Sequence, residues 1–532
     1  MAPIAAPDKT ESGRVLSVRQ SLKAMLGLCF LIMMVAIDQT VVGTAMPTIV
    51  AELNGFELYA WVATAYLLTS VITIPIFGRL GDYYGRKPFV VVSIVVFTVA
   101  SILCGMSNTM LQLVLARALQ GVGGGMLIGT AFACVPDLFP DTRVRLRWQV
   151  LMSASFGIAN AVGPSLGGFL TQYMGWRSVF YVNVPIGLLS FWFVWRCLPH
   201  IRQMQAGSIR LDWQGALLIA LGLGSLQLLV ELLPVYGGSL SMVALGIFSV
   251  VAFVALFYWE RHCPEPLLPL EMFRNKSLAA LFTLSFFTGF VMFALMFYAP
   301  LLFQGGFGLS PQAAGLLVTP LVVFITVGSI TNSRLITRLS KSNMMLFIGF
   351  TLLAVGSTGV IFTYKATPSW AVLLYMMLVG TGIGFIMPNL TVFAQEMAGR
   401  AHLGIATALL QSVRMIGGML GMAVVGSMVS HYYASSVRSA VQSQDSAAWL
   451  PQLQDLQVLV NHSVQTAFLE RLQTMGVDGA PLIDLARQAL VFAIHSGMWT
   501  VLFVALLGLV WARRVPPIRF SRGISSKDGA GK

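Results

Sequence analysis

Residues 26–50 read "LGLCFLIMMVAIDQTVVGTAMPTIV". As an α-helix this stretch is long enough to cross a hydrocarbon core of about 30 Å, and its single charge, Asp38, falls halfway along it. A carboxylate at the bilayer centre costs roughly 2.5–3.5 kcal/mol on insertion scales, so such residues are rare and mark functional positions. The stretch predicts both a membrane-spanning helix and a working residue inside it.

The same apolar pattern recurs along all 532 residues. Hydrophobic residues make up 57% of the chain and charged residues 10%, with a mean hydropathy of +0.80. Ordinary globular domains run near 45–50% apolar and about 25% charged. The chain therefore reads as an all-α polytopic membrane protein with fourteen predicted spans. An even number puts both termini on one side, and 26 of the 33 Lys and Arg fall in the tails, loops and span ends of that side, against five on the other. Basic residues accumulate on the cytoplasmic side of membranes, so both termini are expected in the cytoplasm, with the protein in a bacterial cytoplasmic (inner) membrane. The net charge of +13 is thereby topological and does not indicate nucleic acid.

Arg14, Arg19 and Lys23 precede the first apolar run, but no small-residue cleavage site bounds it, so an uncleaved first helix is expected. Four of the five cysteines lie within spans without a C-x-x-C or metal-like pairing, so neither a disulfide framework nor a metal site is expected. No H-E-x-x-H motif or nucleophile–base arrangement argues for an enzyme. No G-x-x-x-x-G-K-[ST] loop argues for an ATP-driven pump. No cofactor is expected.

Six spans, a pair, then six more give the expected organisation. It comprises a cytoplasmic tail (1–21), a six-helix half (22–198), a linker with two inserted helices (199–259) and a cytoplasmic loop (260–276). A second half (277–512), containing an external region (432–488), and a tail (513–532) complete it. Internal repeats of this kind underlie many secondary transporters. "LQDLQVLVNHSVQTAFLERL" within the external region has apolar residues at helical spacing and predicts one or two amphipathic helices.

The loop after the second span, "GRLGDYYGRK" (78–87), has a weaker counterpart after the tenth, "NSRLITRLSKS" (332–342). Gly78 and Gly85 permit close helix approach and a tight turn, while Asp82, Arg86 and Lys87 can pair across a helix junction in one conformation and release in another. The pattern G-x-L-x-D-x-x-G-R-K resembles the signature of the major facilitator superfamily. "RALQGVGGGM" (117–126) resembles the fourth-helix motif of its proton-coupled members. "GIANAVGPSLGGFL" (157–170) resembles the fifth-helix motif of antiporters. "IDQTVVGTAMP" (37–47) resembles the first-helix motif of the fourteen-helix drug:proton antiporters. "WRSVFYVNVPIG" (176–187), "LDWQGALL" (211–218) and "SVRMIGGMLGMAV" (412–424) fit the same EmrB/QacA-type branch.

The resemblance implies a major facilitator fold and a proton-driven exporter that works by alternating access. It makes Asp38 and Arg117 the expected proton-coupling pair, although counting residues sets Arg117 nearer the outside than Asp38. Burial favours a protonated carboxylate and a nearby cation favours an ionised one, so a group pushed both ways can load and release a proton. Trp61, Tyr66, Gln120, Asn160, Tyr298, Asn389 and Gln411 are candidates to line a substrate cavity. Gly157, Gly163, Pro164, Gly167 and Gly168 would form a dense, kinked junction that seals one side against proton leak. Arg414 is either a charge at a helix junction or a cavity residue. The expected substrates are hydrophobic, often cationic drugs; the alternative is dedicated export of one metabolite, such as a natural product, fatty acid or siderophore. Function as a monomer is expected, and docking of a periplasmic adaptor on the external region stays open.

Overall fold

A backbone in hydrocarbon must satisfy its own hydrogen bonds, and a long apolar chain broken by short polar segments does so as helices. The computed structural model describes residues 18–138, 142–199, 212–237, 239–264, 266–267, 270–335, 343–398, 403–442, 449–454, 457–460, 462–475 and 479–516. Fourteen helices in these residues run for 15 residues or more. They are α1 (Val18–Leu53), α2 (Tyr59–Tyr84), α3 (Arg86–Gly105), α4 (Met110–Leu138), α5 (Thr142–Met174), α6 (Asn183–Cys197) and α7 (Trp213–Tyr236). The others are α8 (Leu240–His262), α9 (Lys276–Leu301), α10 (Pro311–Leu335), α11 (Met344–Ile361), α12 (Ser369–Ala398), α13 (Leu403–Gln442) and α14 (Ala480–Trp511). Among the described residues, thirteen spans are long and apolar enough to cross a membrane; α5, where the fifth was expected, is not counted among them.

The pairing of helices repeats. In the first six, α1 packs on α5 and α6, α2 on α4, and α3 on α4 and α6. In the last six, α9 packs on α13 and α14, α10 on α12, and α11 on α12 and α14. Each contact recurs eight helices later. The two halves meet along two seams that are themselves counterparts, α5 with α10 and α2 with α13, and α1 faces α9 between them. Of the inserted pair, α7 packs on α8, α2 and α13, so it covers the α2/α13 seam.

The face on which α1 ends and α2 begins is here termed distal. There α13 continues to Gln442 and α14 starts at Ala480, so the region expected from 432 to 488 begins inside one helix and ends inside the other. Between them lie short helices at Leu450–Gln454, Gln457–Val460 and His462–Thr474. The Tyr433 hydroxyl donates to Leu453 O at 2.6 Å, which ties this region to α13.

Glycine is unfavourable in a helix interior in water, but small residues let membrane helices approach closely. In α5 they do so on two sides. Gly163 abuts Thr40, and Gly167 abuts Val41 and Thr44, all on α1. Gly157 faces Thr326, Gly168 meets the backbone of Pro311 and Gln312, and the Pro164 carbonyl presses on Gly315, all on α10. Ser165 and Thr319 share a hydrogen bond of 2.5 Å across the same seam. Thus α5 is the layer between its own half and the other. Gly167→Leu should lower stability by about 1–3 kcal/mol through overpacking against α1, read as a depressed melting temperature in detergent. Gly168→Leu should instead part α5 from α10 and raise thiol-reagent labelling of a cysteine placed at Ser165; unchanged labelling would show that the seam absorbs the side chain.

Candidate functional site

A charged or polar group deep in the membrane is tolerated when every partner is supplied by protein. Asp38 on α1 is 0% exposed and Arg117 on α4 is 2% exposed. Arg117 Nη1 donates to Asp38 Oδ2 at 2.6 Å and to Gln120 Oε1 at 2.6 Å. Arg117 and Gln120 are three residues apart, which puts both on one face of α4. Gln120 Nε2 in turn donates to Asp38 Oδ1 at 2.8 Å and to Ser101 Oγ at 2.7 Å. Asn183, the first residue of α6, donates through Nδ2 to Asp38 Oδ1 at 3.0 Å and to Ser101 Oγ at 3.3 Å. Cys104, one turn after Ser101 on α3, lies with its Sγ 3.6 Å from Gln120 Oε1.

The carboxylate is therefore enclosed by donors from α4 and α6, with Ser101 and Cys104 of α3 behind them. Both of its oxygens accept. Arg117 reaches one helix further: its Nε donates to Val62 O on α2 at 3.2 Å, and its guanidinium lies 4.6 Å from the Tyr66 ring centroid. Among the described residues, the side-chain oxygen of Asn183 is buried with no partner. It is the acceptor available should Asp38 carry a proton.

The pair expected from sequence is thus in direct contact. Two other expectations are corrected by this geometry. Gln120 and Tyr66, read as cavity groups, are buried against Arg117, because the guanidinium needs an acceptor and a π-face where water is excluded. Two more move in the second half. Tyr298 is buried and donates to Met422 O at 3.1 Å, and Asn389 pairs with Asn332, donating to its Oδ1 at 2.7 Å. Trp61, Asn160 and Gln411 are half-buried.

In the "GRLGDYYGRK" turn, Gly85 has φ +88°, a conformation that favours glycine, and it joins α2 to α3. Gly78 lies against the Gly129 carbonyl of α4. Lys87 donates to Trp195 O at 2.8 Å, capping the end of α6 within the same half instead of crossing to the other. Arg86 is half-buried, and the Asp82 side chain lies outside the described residues, as does most of the second copy of the loop.

Cross-half contacts gather at the distal side. The Tyr59 hydroxyl donates to Phe297 O at 2.8 Å, and its ring lies 5.5 Å from that of Tyr298. Gln304, in a π-helical turn after α9, donates to Thr44 O of α1 at 2.9 Å. Gly43 faces the Met296 carbonyl. Sequence reading singled out none of Ser101, Cys104, Asn183, Tyr59, Thr44 or Gln304. Asn183 alone carried a usable signal, as an amide in an otherwise apolar run.

The family model of the Major Facilitator Superfamily matches residues 28–422. The chain belongs to that superfamily. It is a transporter, not an enzyme. The chain is 29% identical over 525 residues to the multidrug transporter protein MdtP of Bacillus subtilis (strain 168), covering 94% of this chain and 95% of that one. With multidrug resistance protein 3 of the same organism it shares 33% identity over 443 residues, 80% and 82% of the two chains. In fold it is similar to a bacterial homologue of the human lysosomal transporter Spinster, crystallised inward-facing and unoccupied. The TM-score is 0.66 at 14% identity, over 94% of this chain and 98% of the other.

For this transporter, removing one partner of a buried ion pair is expected to cost about 3–5 kcal/mol, because the remaining charge is left uncompensated. Arg117→Gln and Asp38→Asn should each lower the melting temperature in detergent, and the double variant should lose less than the sum of the two. Additive losses would mean that the two charges do not depend on each other.

Proposed function

We propose that this transporter exports hydrophobic compounds, cationic drugs among them, in exchange for protons, with Asp38 as the proton carrier. Under this reading the termini are cytoplasmic, the distal face is external and the region after α13 is where an adaptor would dock. The observation that carries it is the enclosure of Asp38: its charge is held by one cation and two amides, so adding a proton removes the reason for Arg117 to stay. The proton sits on a carboxylate oxygen, the amide of Asn183 turns over, and its free oxygen accepts the new O–H.

Arg117 is also bonded to Val62, and Val62 lies one turn after Tyr59, which holds the distal contact with Phe297 and Tyr298. Loss of the Asp38–Arg117 pair thus acts on α2, and through α2 on the closure between halves. This contiguous route couples proton binding to distal opening without requiring substrate to touch Asp38. Relatives named for multidrug transport and resistance support the direction of transport.

The test is efflux from proteoliposomes under an imposed pH gradient. Wild type should move a lipophilic dye against its gradient while Asp38→Asn should lose proton-driven transport yet keep its elution profile. Normal gradient-driven efflux by Asp38→Asn would remove Asp38 from the mechanism. Tyr59→Phe, which deletes only the distal hydroxyl, should keep dye binding and raise proton leak; unchanged leak would take Tyr59 out of the closure.

A further inference from the structure

Arg414 is the charge that the proton site leaves over. It lies eleven residues into α13, about 16 Å from the helix start, and packs against Gly289, thirteen residues and about 20 Å into α9. Both counts put it near mid-depth of a core about 30 Å thick. Its carbonyl and the Cγ of its side chain press on Gly289, so the stem is fixed between α9 and α13. The side chain is nevertheless partly exposed, and among the described residues it has no hydrogen bond or ion pair.

An unpaired guanidinium accessible at mid-depth cannot face lipid tails without a cost of several kcal/mol. Its head group therefore calls for water or an anionic partner at that depth, which a substrate path would supply. Asp38 cannot serve as its counter-ion, since both carboxylate oxygens are occupied inside the first half. Gln411, one turn before Arg414 on the same face of α13, is also partly exposed. Phe286, one turn before Gly289 on α9, is partly exposed beside them, and its carbonyl packs on Gly417 of α13. A cation, an amide and an aromatic residue, each partly exposed, thus lie within a turn or two of one another on the packed helices α9 and α13.

We propose that Arg414, Gln411 and Phe286 form a recognition site for the carboxylate end of an amphiphilic substrate, the guanidinium taking the acid and the ring its apolar body. Arginine suits this task because its planar donors match a carboxylate bidentately. The proposal rests on the transport reading only in placing Arg414 on the path of the substrate. It shifts the favoured substrates from simple cations toward acids and zwitterions.

The test is equilibrium binding, without any gradient, to the full chain in lipid nanodiscs. The probes are a pyrene-tagged alkyl carboxylate and a pyrene-tagged alkyl trimethylammonium of equal chain length. Wild type should bind the carboxylate about 10- to 100-fold more tightly than the ammonium, the worth of a charge-assisted hydrogen bond. Arg414→Gln should lose that preference without weakening ammonium binding, and Arg414→Lys should keep part of it. Equal or ammonium-favouring binding by wild type overturns the proposal whether or not the variants fold, as does wild-type carboxylate affinity in Arg414→Gln. Because no proton gradient enters the measurement, failure of proton coupling and failure of this site give separate results.

Discussion

Everything in the first half is arranged around one carboxylate that has no access to water. A buried ion is stable only when it is paired and hydrogen-bonded, and Asp38 meets that condition with three donors from α4 and α6, shared between both oxygens. The demand propagates. Gln120 can serve Asp38 only while Ser101 and Arg117 hold it, and Arg117 is oriented partly by the Val62 carbonyl and the Tyr66 ring. Five helices are thereby tied to a single ionisation state. Apolar packing gives membrane helices little preference for one register over another, and this network supplies one.

The second half has the same helix pairing without such a centre among its described residues. Its polar groups serve adjacent helices, as in the Asn389–Asn332 pair between α12 and α10. Two halves of like architecture thus have unlike interiors, one carrying a buried ion pair and the other, among its described residues, an arginine without one. Besides the two seams, a polar link between them runs at the distal side, where Tyr59, Gly43 and Gln304 bring α1, α2 and α9 together.

Much of this was legible in the sequence because the membrane makes polar residues conspicuous. Asp38 and Arg117 stand out in apolar helices, and their partnership needed only that the helices be neighbours. The repeat of six spans was legible for the same reason. What hydropathy does not encode is which side of a helix faces a partner helix and which faces a cavity. Of the candidates for the cavity, Gln120, Tyr298 and Asn389 are buried hydrogen-bonding groups, and Tyr66 is buried with its ring against Arg117. The fifth-helix glycines read as close packing, but only coordinates separate Gly163 and Gly167, which serve α1, from Gly157 and Gly168, which serve α10. Asn183 is visible as an amide in an apolar run, but it lies five helices after Asp38 in sequence, and nothing there hints that it closes on the first helix.

The hairpin of α7 and α8 breaks the balance that the helix pairing otherwise preserves. It rests on α2 and α13, and the Gln227 amide of α7 lies 3.4 Å from the Thr64 hydroxyl of α2. The opposite flank, α5 against α10, has no such brace among the described residues. A swing of one half against the other must therefore drag or shed two extra helices on one side only. If the halves rock as proposed, the flank of α5 and α10 is the one that can part without moving that hairpin.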